Sequence, residues 1–254
     1  MSGSEVRPDV PELPERIRGS HGASPIHGAS PIHGAAPRLS HRDEDGARLA
    51  SLLWEFGPGW RAISSAMVGG GIGPAAWVLN AQVVAGYSRM DPVDHLRELA
   101  PPGHGVGMLT AASVEHFTRA HDGGVEVVAT VGLRVPTWAA APEGAADPEL
   151  APMFLPGTIN IAVVVPVAMS DAALVNAVMT VTEAKTQALL EAGFPCTGTA
   201  SDAVCVAVPE RAPPGAGELF GGPRSTWGAR IARAVHAAVG QGAHRWANRD
   251  LTAP

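Results

Sequence analysis

Short apolar runs bounded by glycine or polar residues recur along the chain from about residue 49 onward. These runs are rich in Val, Ile and Trp, which is typical of buried strands. They predict strands over residues 60–68, 77–84, 106–110, 125–133, 158–167 and 203–208. Apolar positions at helical spacing predict helices over residues 92–99, 112–120, 171–192 and 226–239. Strands with interspersed helices, without eight regular βα units, predict an α+β domain with a mixed sheet and packed helices.

The predicted helix over residues 171–192 has the clearest boundaries. Ser170 suits its N-cap, and Gly193 suits its C-terminal stop. At about 100° per residue, Lys185 shares one face with the apolar positions, whereas Glu183 lies on the opposite side. Lys185 is the only lysine of a chain with seventeen arginines. Two interpretations stay open: a packed stem whose ammonium reaches solvent, or a partly buried ammonium that pairs with a carboxylate or acts in catalysis.

Residues 1–45 are predicted to be a disordered tail. The hexapeptide His-Gly-Ala-Ser-Pro-Ile begins at His21 and His27, and a shortened copy begins at His33. One apolar side chain in six cannot bury a face, and a proline in every repeat interrupts backbone pairing. The histidines could collect a metal ion, but a tolerated low-complexity tail is the better interpretation. We therefore expect one folded domain over residues 46–254, with an acidic surface loop at 139–156.

Composition excludes several classes of function. A net charge of −6 and a pI near 5.9 provide no basic surface for nucleic acid or an anionic membrane. No apolar run reaches about 20 residues, and the N-terminus lacks the apolar core of a signal peptide, so a cytoplasmic protein without a membrane span is expected. Cys196 and Cys205 are too few for a disulfide framework and are interpreted as buried thiols. The histidines outside the tail form no metal-spaced pair, so no metal site is expected.

Glycines and isolated polar residues mark candidate ligand contacts. Gly69, Gly70 and Gly71 follow a predicted strand that contains Ser64 and Ser65. Consecutive glycines let the backbone approach a ligand and aim its N–H groups, although a tight hairpin explains them as well. They form neither a P-loop nor a dinucleotide fingerprint.

Asn80 and Thr110 place polar groups in apolar strands. A buried amide must be hydrogen-bonded, so Asn80 either holds a neighbouring loop or faces a ligand.

Two further segments concentrate hydroxyl groups. Thr158 and Asn160 open a strand that follows the acidic loop. The loop at 195–202 then holds three hydroxyls, a thiol and a carboxylate, contributed by Thr197, Thr199, Ser201, Cys196 and Asp202. Such a density is expected where a polar substrate is held or a nucleophile is activated, although a Thr- and Gly-rich turn also accounts for it.

Taken in order, these segments resemble the adenosylcobinamide amidohydrolase family over roughly residues 50 to 240. The matching stretches are Ser64-Ser65-Ala66 with the three glycines, Trp77-Val78-Leu79-Asn80, Tyr87-Ser-Arg-Met-Asp91-Pro92, Gly107-Met108-Leu109-Thr110, Gly157-Thr158-Ile159-Asn160, Thr182-Glu183-Ala184-Lys185, Thr197 to Asp202, and Gly222-Pro223-Arg224-Ser225. The resemblance implies hydrolysis of the amide that joins aminopropanol to the corrin ring of adenosylcobinamide, giving adenosylcobyric acid for cobalamin salvage. It implies no cofactor of the protein's own, because cobalt enters with the substrate.

Amide hydrolysis needs a nucleophile, an oxyanion donor and an acid for the leaving amine. On the implied function, the candidate catalytic residues are Thr158, Glu183, Lys185, Thr199 and Asp202. The candidate substrate-binding residues are Ser64, Ser65, Gly69, Gly70, Gly71, Asn80, Thr110, Asn160 and Thr197. Because Glu183 and Lys185 face opposite sides of one helix, both cannot contact one atom.

Three alternatives stay open. A corrinoid-binding protein without hydrolytic activity would use the same glycine turns, and a general Ser/Thr amidase would act on smaller substrates. The order of Gly157-Thr158, a long helix and Asp202 also resembles, more weakly, the C-terminal half of self-processing aminopeptidases with an αββα sandwich, which implies possible cleavage before Thr158. The expected partner is a corrinoid, with no nucleic acid, and a homo-oligomer is left open.

Overall fold

Ten strands and three helices make up the described part of the chain, which is residues 36–143, 157–211 and 217–249 of a computed structural model. The strands are β1 (Arg38–Glu44), β2 (Ala47–Glu55), β3 (Trp60–Ser64), β4 (Gly71–Pro74), β5 (Trp77–Gln82), β6 (Val106–Thr110), β7 (Thr118–Asp122), β8 (Val125–Val131), β9 (Ile159–Val164) and β10 (Ala203–Pro209). The helices are α1 (Pro92–Leu99), α2 (Asp171–Glu191) and α3 (Thr226–Arg249).

The strands form two sheets that pack face to face. One sheet has the order β1-β2-β5-β6 and the other has the order β4-β3-β10-β9-β8-β7. Both are mixed, since β5 pairs parallel with β6 and β9 pairs parallel with β10, whereas the remaining pairs are antiparallel. The predicted α+β class is therefore confirmed.

Three apolar clusters fix the order of the layers. The first contains the inner faces of α2 and α3 and one face of the six-stranded sheet, including Ile161 and Val235. The second lies between the two sheets and includes Trp54 and Val164. The third packs Leu96 of α1 against the outer face of the four-stranded sheet. Each sheet thus buries both faces, and the layers run helix, sheet, sheet, helix.

Helix α2 has the ends that its sequence predicts. The Ser170 hydroxyl accepts a hydrogen bond from the backbone N–H of Ala173 at 3.2 Å. Gly193 adopts a positive φ of 86° just beyond the helix, which a residue without a Cβ adopts at little cost. Between these ends the helix buries one face that includes Leu174, Val181 and Lys185.

Several boundaries differ from the sequence prediction. Strand β1 begins at Arg38, so residues 38–44 of the predicted tail belong to a sheet, while residues 1–35 lie outside the described residues. The predicted helix over 112–120 is wrong, because a 3-10 turn (Val114–His116) is followed by β7. Residues 118–122 alternate between buried and exposed, which is the pattern of a strand with one buried face. Most of the acidic loop lies outside the described residues, which include only its first part, up to residue 143.

In the three described stretches, no helix combines the length and the apolar character that a membrane crossing requires.

One tight contact beside the four-stranded sheet supports a stability prediction. A Cβ added to Gly105 would lie 2.1 Å from the ring of buried Trp77, whereas one added to Gly73 would meet nothing within 4 Å. We expect Gly105→Ala to lower the free energy of unfolding by about 1–3 kcal/mol because the indole must shift. Gly73→Ala is the matched control and should change it by less than about 0.5 kcal/mol. Urea unfolding measures both, and equal stabilities would contradict the packing described here.

Candidate active site

The parallel pairing of β9 and β10 brings the hydroxyl-rich segments together. Asn160 pairs with Ala203, so both strands begin at the same edge of the six-stranded sheet. Strand β8 ends at that edge, because Val131 pairs with Ile159. The residues just before β9 and β10 and those just after β8 therefore share one end of the sheet. Thr158, Asp202 and Thr199 meet there.

The Asp202 carboxylate is the centre of this cluster. Its Oδ1 accepts hydrogen bonds from the backbone N–H of Ile159 at 2.9 Å and from the Thr199 hydroxyl at 2.5 Å. Its Oδ2 accepts from the Lys185 ammonium at 2.5 Å and from the backbone N–H of Thr199 at 3.1 Å. Four donors from three parts of the chain thus converge on one side chain. We call Asp202, Lys185 and Thr199 the carboxylate hub.

The hub is buried, which decides between the two interpretations of Lys185. Its side chain is 8% exposed and that of Asp202 is 10% exposed. An ammonium in such surroundings is retained when a carboxylate compensates for its lost hydration. Lys185 is therefore a paired, buried ammonium rather than one that reaches solvent. The four donors together occupy both oxygens of the Asp202 carboxylate and fix its position.

The loop before β10 can pass the hub only because residue 198 is glycine. A Cβ at Gly198 would lie 2.2 Å from Asp202 Oδ2 and 2.4 Å from Lys185 Nζ. Any side chain there would displace one partner of the ion pair.

Beside the hub, two hydroxyl groups lie in contact at the sheet edge. Thr158 Oγ1 and Ser201 Oγ are 2.9 Å apart. Thr158 is only 5% exposed, whereas Ser201 is exposed. Asp202 follows Ser201 in the chain and binds the N–H of Ile159, which follows Thr158, so the hub fixes the backbone on both sides of the pair. This hydroxyl pair faces solvent through Ser201.

Residues 133–139, which we call the rim segment, run past both sides of the cluster. A Cβ at Gly157 would lie 2.9 Å from the backbone N of Arg134. Further along, the N–H of Thr137 donates to the carbonyl of Gly198 at 2.8 Å, and the N–H of Thr197 donates to the carbonyl of Thr137 at 3.0 Å. The Thr197 hydroxyl accepts from the N–H of Ala139 at 2.8 Å. Thr197 thus holds the rim segment in place.

Asn80 and Asn160 lie between the two sheets rather than at the edge. Asn160 Nδ2 donates to Asn80 Oδ1 and to the carbonyl of Leu109, each at 2.9 Å, and Asn80 Nδ2 donates to Thr130 Oγ1 at 3.0 Å. The amides therefore join strands of both sheets. A cavity of about 20 Å³ adjoins them, which is room for about one water molecule and not for a large substrate. Asn160 Oδ1 is one of two buried side-chain polar atoms of the described residues that have no hydrogen-bond partner.

Ser64 and Ser65 hold β3 against β10. The Ser64 hydroxyl donates to the carbonyl of Val204 at 3.0 Å, and the Ser65 hydroxyl accepts from the N–H of Val204 at 3.0 Å. The buried hydroxyl of Thr110 accepts from the N–H of Ala112 at 3.0 Å. These three hydroxyls are thus engaged with the backbone.

The predicted glycine turn packs partly against protein. Gly69 adopts a φ of 71°, and a Cβ there would lie 2.1 Å from the carbonyl oxygen of Gly105. A Cβ at Gly70 would lie 2.6 Å from the carbonyl of Ala66, whereas Gly71, with a φ of 84°, has open space around it. Close backbone packing accounts for the first two glycines, and turn geometry accounts for the third.

Glu183 is not brought to the hub. It is exposed on the outer face of α2, where it lines a shallow groove with Thr186, Gln187 and Leu190. The structure thus separates it from Lys185, as the helical spacing predicted.

The two thiols are confirmed as free and buried. Burial raises the pKa of Cys205 to about 12. It also raises the pKa of Cys196, which lies in the loop over residues 195–202 that we call the site loop. Both thiols are therefore protonated near neutral pH and are weak nucleophiles. Residues 36–143, 157–211 and 217–249 contain no group of three or more His, Cys, Asp or Glu side chains placed to hold a metal ion.

The rim segment could not be recognised from the sequence. Thr137 and Trp138 follow a strand and precede the acidic loop, and no local motif marks them. The parallel pairing of β9 with β10, next to the end of β8, is what brings them to the cluster.

Comparison with known proteins identifies one family. The profile of the adenosylcobinamide amidohydrolase family matches residues 36–251. An adenosylcobinamide amidohydrolase of Halobacterium salinarum is 43% identical over 110 residues, which is 42% of this chain and 46% of that relative. One of Methanosarcina mazei is 31% identical over 152 residues, which is 58% of this chain and 69% of the relative. The chain thus matches less than half the length of the Halobacterium protein. The family resemblance inferred from the motifs is confirmed.

The buried ion pair predicts a large difference between two substitutions. We expect Lys185→Met to lower the free energy of unfolding by about 3–5 kcal/mol, because it leaves the Asp202 carboxylate buried without its cation. The matched control is Arg38→Met, which removes the cation of a pair with Glu55 whose side chains are 66% and 47% exposed. The control should cost about 1 kcal/mol or less. Similar costs in urea unfolding would contradict a structural role for the hub.

Proposed function

The chain belongs to the adenosylcobinamide amidohydrolase family, and on that premise we propose that it hydrolyses the amide joining aminopropanol to the corrin ring of adenosylcobinamide. Water adds across this bond: the carbonyl carbon keeps the new oxygen as a carboxylate, and the nitrogen leaves as aminopropanol. The products are adenosylcobyric acid and aminopropanol, which makes a role in cobalamin salvage part of the proposal. Cobalt arrives within the substrate, and we assign no cofactor of the protein's own.

The observation that carries the proposal is the Thr158–Ser201 hydroxyl pair at the sheet edge. A corrinoid is too large for the interior cavity beside Asn160, so its amide must be reached from the surface. Ser201 is the exposed member of the pair, and Thr158 is the buried member that positions it. In this proposal the pair supplies the hydroxyl that attacks the amide carbonyl and forms an ester that water then hydrolyses, or it holds the water that attacks directly. In either case the carbon–nitrogen bond breaks, and the proton of the attacking group passes to the leaving nitrogen.

The hub acts in this proposal by positioning rather than by proton transfer. Its carboxylate accepts four hydrogen bonds and keeps no free site for the proton of a nucleophile. The hub fixes the backbone next to Thr158 and Ser201. A reacting hydroxyl that is misplaced by about an ångström can cost about a hundredfold in rate, so this fixation matters for catalysis. Glu183 has no place in this mechanism, because it lies on the outer face of α2.

The direct test incubates the full chain with adenosylcobinamide and follows the corrinoid by mass spectrometry. We expect a product with one new carboxylate in place of the aminopropanol amide, together with free aminopropanol. Return of unchanged corrinoid from a saturated protein would instead establish a binding protein without hydrolytic activity. Cleavage of small amides but not of adenosylcobinamide would establish a general amidase.

Single substitutions assign the roles. Thr158→Ala and Ser201→Ala should each lower kcat at least about a hundredfold, the range expected when a group that acts on the reacting atoms is lost. Asp202→Asn should lower it through displacement of the pair, whereas Glu183→Gln should leave it unchanged. The matched control is Thr182→Ala, which removes an exposed hydroxyl bonded only to its own helix at Val178. Near-normal rates for both Thr158→Ala and Ser201→Ala would refute the assignment.

Intact mass tests self-processing separately. Cleavage before Thr158 would free an α-amino group that could serve as the base for its hydroxyl. The group that would attack the Gly157 carbonyl is the Thr158 hydroxyl itself, and this hydroxyl is engaged with Ser201 Oγ at 2.9 Å. We therefore expect one species of 26.0 kDa. Two fragments that divide at Thr158 would contradict this expectation.

A further inference from the structure

Trp138 is an aromatic residue that the proposed mechanism does not use. Its side chain is 49% exposed, whereas Trp54 and Trp77 are buried to 5% and 4%. Among the large exposed apolar residues of the described stretches, Trp138 and Phe220 are the aromatic ones. A single exposed ring is common on protein surfaces and is no argument for binding by itself.

The backbone around Trp138 is fixed on both sides. The residue before it, Thr137, makes two backbone hydrogen bonds with the site loop. Its N–H donates to the carbonyl of Gly198 at 2.8 Å, and its carbonyl accepts from the N–H of Thr197 at 3.0 Å. The residue after it, Ala139, donates its N–H to the Thr197 hydroxyl at 2.8 Å. The ring thus projects from a backbone held in place. An aromatic side chain of this kind loses little conformational entropy when a ligand covers it.

These anchors also place the backbone around Trp138 against Thr197 and Gly198, in the loop that continues to Ser201. Thr137 pairs with Gly198, where a Cβ would lie 2.2 Å from the Asp202 carboxylate. The other end of the rim segment adjoins Gly157, the residue before Thr158. The segment that carries Trp138 therefore contacts both chain segments that supply the hydroxyls. Trp138 and Ser201 are thus both exposed, on two segments that contact each other.

We propose that the Trp138 indole is a stacking surface for a flat conjugated ring of the substrate and that this contact sets substrate affinity. The inference rests on the function proposed above, because it takes the substrate to be a corrinoid that carries an adenosyl group. Indole rings stack on planar π systems and exclude water from the contact. Both the conjugated corrin ring and the adenine of such a substrate present this chemistry.

The test measures Kd by equilibrium dialysis for chains with Trp138 as in the wild type, with Trp138→Ala and with Trp138→Phe, each in a Ser201→Ala background so that the ligand is not consumed during dialysis. The ligands are adenosylcobinamide and a cobinamide that carries cyanide in place of the adenosyl group. We expect Trp138→Ala to weaken binding of adenosylcobinamide by about ten- to a hundredfold, the usual effect of removing one stacking partner. Trp138→Phe keeps a ring and should stay within about threefold of the wild type. An equal loss with both ligands assigns the stacked ring to the corrin, and a loss confined to the adenosyl form assigns it to adenine.

Phe220→Ala is the matched control, since it removes the other exposed aromatic ring. Its neighbour Gly221 packs against Ala173 and Ala177, in the N-terminal half of α2 and away from Lys185. Its Kd should equal that of the wild type. Thermal unfolding confirms that each variant is folded.

Kinetics supply a second readout that a structural role would not give. Loss of a stacking contact that is the same in ground state and transition state raises KM and leaves kcat nearly unchanged. A Trp138→Ala variant that keeps the wild-type Kd and KM overturns this inference while the proposed function stands. A wild type that neither binds nor hydrolyses the corrinoid overturns both.

Discussion

The arrangement of the candidate site depends on the Asp202 carboxylate. A buried anion is unfavourable unless hydrogen bonds and a cation compensate for its lost hydration. Here the compensation comes from α2, from the site loop and from the first residue of β9. The hub therefore joins three separate elements at a single point. Thr158 precedes Ile159 and Ser201 precedes Asp202, while the rim segment hydrogen-bonds Thr197 and Gly198, which precede Thr199.

The two sheets separate the apolar interior from the exposed candidate site. Helices cover the outer face of each sheet, apolar side chains fill the space between the sheets, and the Asn80–Asn160 amides connect the two sheets. The exposed polar groups of the candidate site lie at the sheet edge, in the loops just before β9 and β10. This distribution matches the general tendency of binding groups to lie on loops that a rigid scaffold positions.

Local patterns predicted those parts of the fold that local physics determines. Strand β6 and helix α1 lie where the apolar runs and the proline indicated, and the ends of α2 follow from a capping serine and a stop glycine. The helical face alone was enough to separate Lys185 from Glu183. Strands β1, β4 and β7 were missed because they are polar or glycine-rich, and pairing with neighbours stabilises them rather than their own apolar content. Strand β2 was also missed, although it is nine residues long and buries several apolar side chains.

For the site, sequence order was a partial guide. The loop at 197–202 and the start of β9 were recognised by their hydroxyls, and they do meet. That Asp202 rather than Glu183 pairs with Lys185 depends on the packing of α2 beside β10, which no spacing along the chain encodes. The same holds for Ser64 and Ser65, whose hydroxyls contact Val204 across a separation of about 140 residues.

The parallel pairing of β9 and β10 has a consequence for how the site is assembled. Every group of the hub lies in the continuous stretch from Ile159 to Asp202, which forms one strand–helix–strand unit. The loop that closes when Lys185 meets Asp202 spans 17 residues, whereas the one that closes when Ser64 meets Val204 spans 140. Since the entropy lost on loop closure grows with loop length, the ion pair is the less costly contact to form from an extended chain. The centre of the site is thus a local contact in a fold whose larger sheet is completed by distant ones.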